Sequence, residues 1–208
     1  MKAREHPSGY APRMAAPPDP VPEYASACLE YVRRALAFEL DFTAETLPVL
    51  DHYITTVRET LVERPALAPL IARATGAYFG EVVRTVVPAF WRIPPSGNVH
   101  DWQLCCRPSF LWMNPVGIAF DALYGGVEHE GPRSHLRTSP EERGYLERRL
   151  ETLPPVPEDQ YFLFTTRLEV IEVANEALHA RLEEQGYGET ELGEDDYAVE
   201  HEAPVLDS

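Results

Sequence analysis

The chain has 208 residues, 44% of them hydrophobic, with a formal net charge of -16, which suits one domain burying about 70% of its unfolded surface. All the basic residues but Lys2 are arginine, so the folded domain is expected to hold neither a Schiff-base lysine nor a P-loop lysine. So acidic a chain is repelled by nucleic acid phosphates and suits a basic protein partner. It carries no run of about 18 apolar residues for a membrane span and no apolar signal-peptide core, and it reads as a soluble cytoplasmic protein.

Residues 1–22 are rich in proline and alanine and read as a disordered, polyproline-like arm. A single globular domain is expected over residues 23–186. Glu189, Glu191, Glu194, Asp195, Asp196, Glu200, Glu202 and Asp207 follow with no Lys or Arg among them, so residues 187–208 read as a disordered acidic tail.

Within the domain, Tyr24, Cys28, Tyr31, Ala35 and Phe38 repeat at helical spacing and predict a first helix from about Glu23 to Leu40. Leu47, Leu50, Ile54, Val57 and Leu61 predict a second, starting at Thr46 so that Pro48 falls in the first turn, where a missing N–H costs nothing. Asp51 and His52 flank its apolar face and read as solvated. A third helix is expected from Ala66 to Val87, with Pro69 in its opening turn and Pro88 beyond its end. It carries Ala72, Gly76 and Gly80 at four-residue intervals, a flat stripe that predicts close packing to offset about 1 kcal/mol per mid-helix glycine.

Three strands are expected next, at Ala89–Ile93, Val99–Arg107 and Phe110–Met113, with a hairpin loop at residues 94–98. Alternation puts Trp102, Leu104 and Cys106 on one face, and the adjacent Cys105 and Cys106 on opposite faces as reduced packing residues. Asn114 and Pro115 open a short helix closed by Gly125 and Gly126. Ser139, Pro140 and Glu142 resemble a capping box opening a helix to about Leu153. The longest helix lies within residues 158–186, where Tyr161, Phe164, Leu168, Ile171, Asn175, Leu178 and Leu182 alternate steps of three and four. It packs on the domain or pairs with a second copy. The whole is an α+β fold, mainly helical, with a small three-stranded antiparallel meander against the Gly76/Gly80 helix and a long C-terminal helix.

Glu81 follows Gly80 on an apolar helix with Arg84 one turn on. It is either a buried carboxylate fit for acid–base work or half of a structural ion pair. Trp91, Trp102 and Trp112, with Arg92 and Arg107, are core residues or an aromatic recognition face. Glu128, His129, Glu130 and His135 are of metal-ligating type but lie on a polar loop without a helical HExxH frame, so no metal or other cofactor is assigned. No GxSxG or phosphate-binding glycine loop occurs.

The GAYFGEVVR helix, followed by an aromatic strand, a hairpin and the Pro115-led GIAFDAL helix, resembles bacterial proteins of unknown function that share a GxYxGE helix and a small sheet. The ELDFTAETLPVLD segment extends that resemblance, which covers about residues 39–123. It implies an α+β domain and carries no catalytic residues. The expected function is a non-catalytic protein-binding domain, most concretely an acidic immunity-type inhibitor or adaptor of a basic partner, with Glu81, Arg84, Trp91, Arg92, Trp102, Arg107 and Trp112 as binding residues. A metal-dependent hydrolase using the His129/His135 region and a helical homodimeric scaffold through residues 158–186 are the alternatives.

Overall fold

Apolar residues at helical spacing put Val21, Ala25, Cys28 and Val32 on the buried face of α1 (Val21–Leu36). The computed structural model describes residues 15–188 and 190–198. The helix starts before Glu23 and stops short of Leu40, because Ala37 turns left-handed (φ 52°) and donates its N–H to the Arg33 carbonyl, a helix-ending arrangement. The domain therefore includes Val21, fully buried, which the expected disordered arm of residues 1–22 had excluded; residues 1–14 lie outside the described residues.

Helix α2 (Leu47–Glu63) has Pro48 in its first turn, as the missing N–H requires. Thr46 precedes it without capping it. Its hydroxyl instead sits 2.9 Å from the Tyr78 hydroxyl. A 3-10 turn at Pro65–Leu67 leads into α3 (Ala68–Val86), the central helix, which packs against α1 on one side and α4 (Pro115–Tyr124) on the other. The glycine stripe lets α4 and the Trp91 ring approach it closely. A Cβ on Gly76 would lie 2.6 Å from the Val116 Cα, and one on Gly80 would lie 2.2 Å from the Trp91 ring, separations that only the absence of a side chain permits.

The sheet has four antiparallel strands in the order β1 (Ala89–Arg92), β2 (Gln103–Cys106), β3 (Leu111–Met113) and β4 (Arg137–Thr138). The fourth was not expected, because two residues in a polar stretch show no alternation to read. Val99–Asp101 form a 3-10 turn in place of the start of the second strand. Trp112 faces Cys105 on β2 and Arg137 on β4. Trp91, Trp102, Leu104 and Cys106 belong to the main core, whereas Phe90, Cys105 and Trp112 form a second cluster, as a pleated strand requires.

Asn114 caps α4, its Oδ1 accepting the N–H groups of Val116 and Gly117 at 3.0 and 3.1 Å, and Gly125 (φ 61°) ends it. Helix α5 (Pro140–Leu150) follows Ser139, whose side chain makes no capping bond; the capping box does not form, and Glu142 pairs with Arg181 instead. Helix α6 (Phe164–Glu184) turns Phe164, Leu168, Ile171, Ala174 and Leu178 into the main core. It packs against α5, α2 and α4, and Asn175, the polar break in its stripe, accepts the Ser109 hydroxyl at 2.7 Å. Phe164, Leu168, Ile171 and Leu178 of the predicted stripe are taken up by the domain, whereas Tyr161 is exposed and Leu182 half-buried.

The largest difference lies in the segment read as a disordered tail over residues 187–208. Residues 194–198 form a short helix, α7 (Glu194–Ala198), and Tyr197 is buried on the outer face of the sheet; residues 199–208 lie outside the described residues. Its hydroxyl accepts the Leu111 N–H at 3.2 Å and lies 2.5 Å from the Cys106 carbonyl and 2.8 Å from that of Ser109. Acidic composition marks the segment as polar but does not reveal that one tyrosine anchors it. Among the described residues, no helix is long and apolar enough to cross a membrane.

Candidate functional site

Glu81, Arg84 and Trp91 come together at the junction of α3 and β1. Arg84, 3% exposed at its side chain, donates from one guanidinium nitrogen to both Glu81 oxygens at 2.9 Å. Its Nε reaches the Ala89 carbonyl at 3.2 Å, and its remaining nitrogen bonds the Ala15 carbonyl. The Trp91 indole crosses Gly80, where no side chain blocks it, and donates Nε1–H to Glu81 at 2.7 Å. Every charge here is answered internally, so the group acts as a clasp holding helix, strand and N-terminal segment together. Removing one partner of such a buried pair costs about 3–5 kcal/mol, because the other charge is left uncompensated.

The tryptophans do not form an open recognition face. Trp91 and Trp102 meet edge to face in the main core at 6.1 Å between centroids. The outer face with Trp112 is roofed by Tyr197, which stacks on Phe110 at 4.7 Å and meets Trp112 and Phe90 edge-on. The two arginines expected to serve that face also hold the roof: Arg92 donates to the Tyr197 carbonyl at 2.8 Å and to Gln103 at 3.0 Å. Arg107 lies over the Phe90 ring at 4.8 Å, and its carbonyl accepts the Leu192 N–H at 2.9 Å.

Glu128, His129, Glu130 and His135 are not assembled into a metal centre. Among the described residues, no group of three or more His, Cys, Asp or Glu side chains is placed to hold a metal ion. His129 is used locally: its Nδ1 accepts the Gly131 N–H at 3.0 Å, which leaves Nε2–H to donate to Asp121 at 2.8 Å, while its ring stacks on Phe120. Asp121 also accepts the Ser134 hydroxyl. Histidine and serine both bond to the carboxylate and not to each other, so this is not the relay of a nucleophilic triad. It pins residues 129–134 against α4. Glu128, Glu130 and His135 are exposed.

Asp51, expected to be solvated, is the polar residue most clearly overlooked. It is buried and caps α6 from across the domain, accepting the Phe164 N–H at 2.7 Å, the Thr165 N–H at 3.2 Å and the Thr165 hydroxyl. Burial pushes its carboxyl up from the usual aspartate value, against the pull of those donors and of Arg58. Its position beside an apolar helical face was the one available signal, and that position does not say which helix arrives there. Comparison with protein-family models, curated proteins and solved structures finds no match to this chain.

Proposed function

We propose that this chain is a non-catalytic protein-binding domain, most concretely an immunity-type inhibitor or adaptor that engages a basic partner in the cytoplasm. The observation that carries this reading is an acidic stripe along the outer side of α6. Glu169, Glu172 and Glu176 recur at steps of three and four, so they stand on one face, and among the described residues none of them enters an ion pair. Partial burial together with the charges of Glu176 and Glu169 pushes the Glu172 carboxyl above its ordinary value. A fold that holds like charges together in this way gains from a cation brought against them, and steered association with a basic surface is the natural use of such a field. Val173 is half-buried beside the stripe and offers an apolar contact. Of the residues expected to bind, Trp91, Trp102 and Trp112 are buried and Glu81 and Arg84 are paired with each other, so in this reading the α6 stripe makes the contact with the partner. Three unbridged cysteines accord with a reducing compartment.

The test is capture of interacting proteins at 50 and 150 mM salt, with the wild-type chain and with a Glu169→Gln, Glu172→Gln, Glu176→Gln variant. A basic protein retained by the wild type, weakened by salt and lost by the variant is the expected result. Recovery of no salt-sensitive partner, or equal recovery by both chains, overturns the reading.

A further inference from the structure

In a chain of net charge -16, two arginines and two histidines nevertheless line one cleft. It lies at the end of the sheet where β3 and β4 meet the start of α4, has a volume of about 180 Å³, and is lined by His100, Arg133, His135 and Arg137 around Trp112 and Gln103. No carboxylate lines it. Among the described residues, neither the Arg133 nor the Arg137 guanidinium makes an ion pair or a side-chain hydrogen bond, in contrast to Arg84, Arg92 and Arg167.

The four groups are carried on backbone that other contacts hold in place. Arg137 is paired with Trp112 across the β3–β4 ladder. The Arg133 carbonyl lies so close to α4 that a Cβ on Gly117 would sit 2.5 Å from its oxygen, and the neighbouring Ser134 is tied to both Asp121 and Arg167. The turn bearing His100 is fixed by Asn114, whose amide donates to the Val99 carbonyl at 2.7 Å while its oxygen caps α4. A fixed backbone removes part of the ordering cost of binding an anion, while the exposed Arg133 and Arg137 side chains still give up rotamer freedom. The planar guanidinium offers paired donors that match the spacing of two oxygens on a phosphate or carboxylate.

The geometry points to a binding site for a small oxyanion, a phosphate or carboxylate group, held between Arg133 and Arg137 with His100 and His135 at its margin. The excess negative charge elsewhere restricts the ligand to a small anion, since a polyanion such as nucleic acid would be repelled beyond the cleft. Trp112 lines the same cleft and supplies an optical reporter. The site does not depend on the partner reading, because Glu169, Glu172 and Glu176 are not among the residues that line it.

The probes are inorganic phosphate, phenyl phosphate and succinate, titrated into the full chain at pH 7 and 150 mM sodium chloride, followed by calorimetry and tryptophan fluorescence. Saturable one-to-one binding of at least one probe is expected, weakened at least tenfold in Arg133→Gln and in Arg137→Gln. The same affinity is expected in Arg148→Gln, which removes an exposed charge from α5. Tighter binding of phenyl phosphate than of phosphate assigns a phosphomonoester, the reverse order assigns the free ion, and preference for succinate assigns a carboxylate. Circular dichroism and melting temperature, unchanged in the exposed Arg133 and Arg137 variants, separate loss of binding from loss of fold. Absence of saturable binding for all three probes overturns the proposal, as does an equal loss in Arg148→Gln.

Discussion

Replacing Asp51 with alanine tests whether α6 is held by a cap supplied from another helix. The carboxyl receives two backbone N–H groups and a hydroxyl from residues 113 and 114 positions away in sequence. Loss of a helix cap costs about 0.5–2 kcal/mol. The Phe164 N–H is buried, and leaving it without an acceptor adds about 1–3 kcal/mol, whereas the Thr165 donors are only part-buried and recover water. The expected cost of Asp51→Ala is therefore about 3 kcal/mol, a fall of roughly 6–12 °C in Tm for a domain of this size. Asp51→Asn keeps one acceptor oxygen and should cost about 1 kcal/mol. Urea unfolding followed by circular dichroism at 222 nm measures both, with the slope unchanged if the folded and unfolded states are otherwise the same. The pH dependence supplies an independent sign. Because burial raises the folded carboxyl above its unfolded value of about 3.9, the folded state holds more protons between the two values. The contribution of Asp51 is then fully present below about pH 3.9 and declines as pH rises through the raised value. The penalty of Asp51→Asn should shrink over that window. An alanine variant within 1 kcal/mol of wild type, or an Asn penalty that grows with pH, would refute the reasoning.

Gly76→Ala drives a methyl group into the backbone of α4, 2.6 Å from the Val116 Cα, and should cost about 2–3 kcal/mol in thermal unfolding. By contrast, Gly144→Ala in α5 meets nothing closer than the Arg148 guanidinium at 3.5 Å and should add about 0.5–1 kcal/mol through helix propensity. Tyr197→Phe removes the hydroxyl that donates to the Cys106 carbonyl and shares the Leu111 N–H with the Ser109 carbonyl, and should cost about 1–2 kcal/mol; Tyr197→Ala should also red-shift tryptophan emission by wetting Trp112. Cys28, Cys105 and Cys106 are buried, and burial pushes the Cys105 thiol up to about 12. None should react with a thiol reagent at pH 8 until denaturant is added, and fast labelling of the native chain would contradict the burial.

The features legible in the sequence are those set by neighbours within a turn or two. The 3.6-residue period placed α1, α2, α3 and α6. Prolines at residues 48, 69, 115 and 140 marked first turns where a missing N–H is harmless. The spacing of Gly76 and Gly80 announced a close approach, and alternation separated Cys105 from Cys106. What approaches was not legible: the backbone of α4 fills one glycine and the Trp91 ring the other.

Local pattern by itself thus determined the α+β class and the helix faces. Only the tertiary structure decided what the polar residues do. A carboxylate, an indole or an arginine reads the same in sequence whether it is solvated, paired or catalytic, and its role is set by groups brought from far along the chain. Asp51 meets α6 across 113 positions and Tyr197 meets Leu111 across 86. Arg133 and Arg137 reach the cleft of His100 and Trp112 through one two-residue strand and a clamp on α4. Polar partnerships of that range have no periodicity, because they are fixed by how elements pack and not by how each element forms.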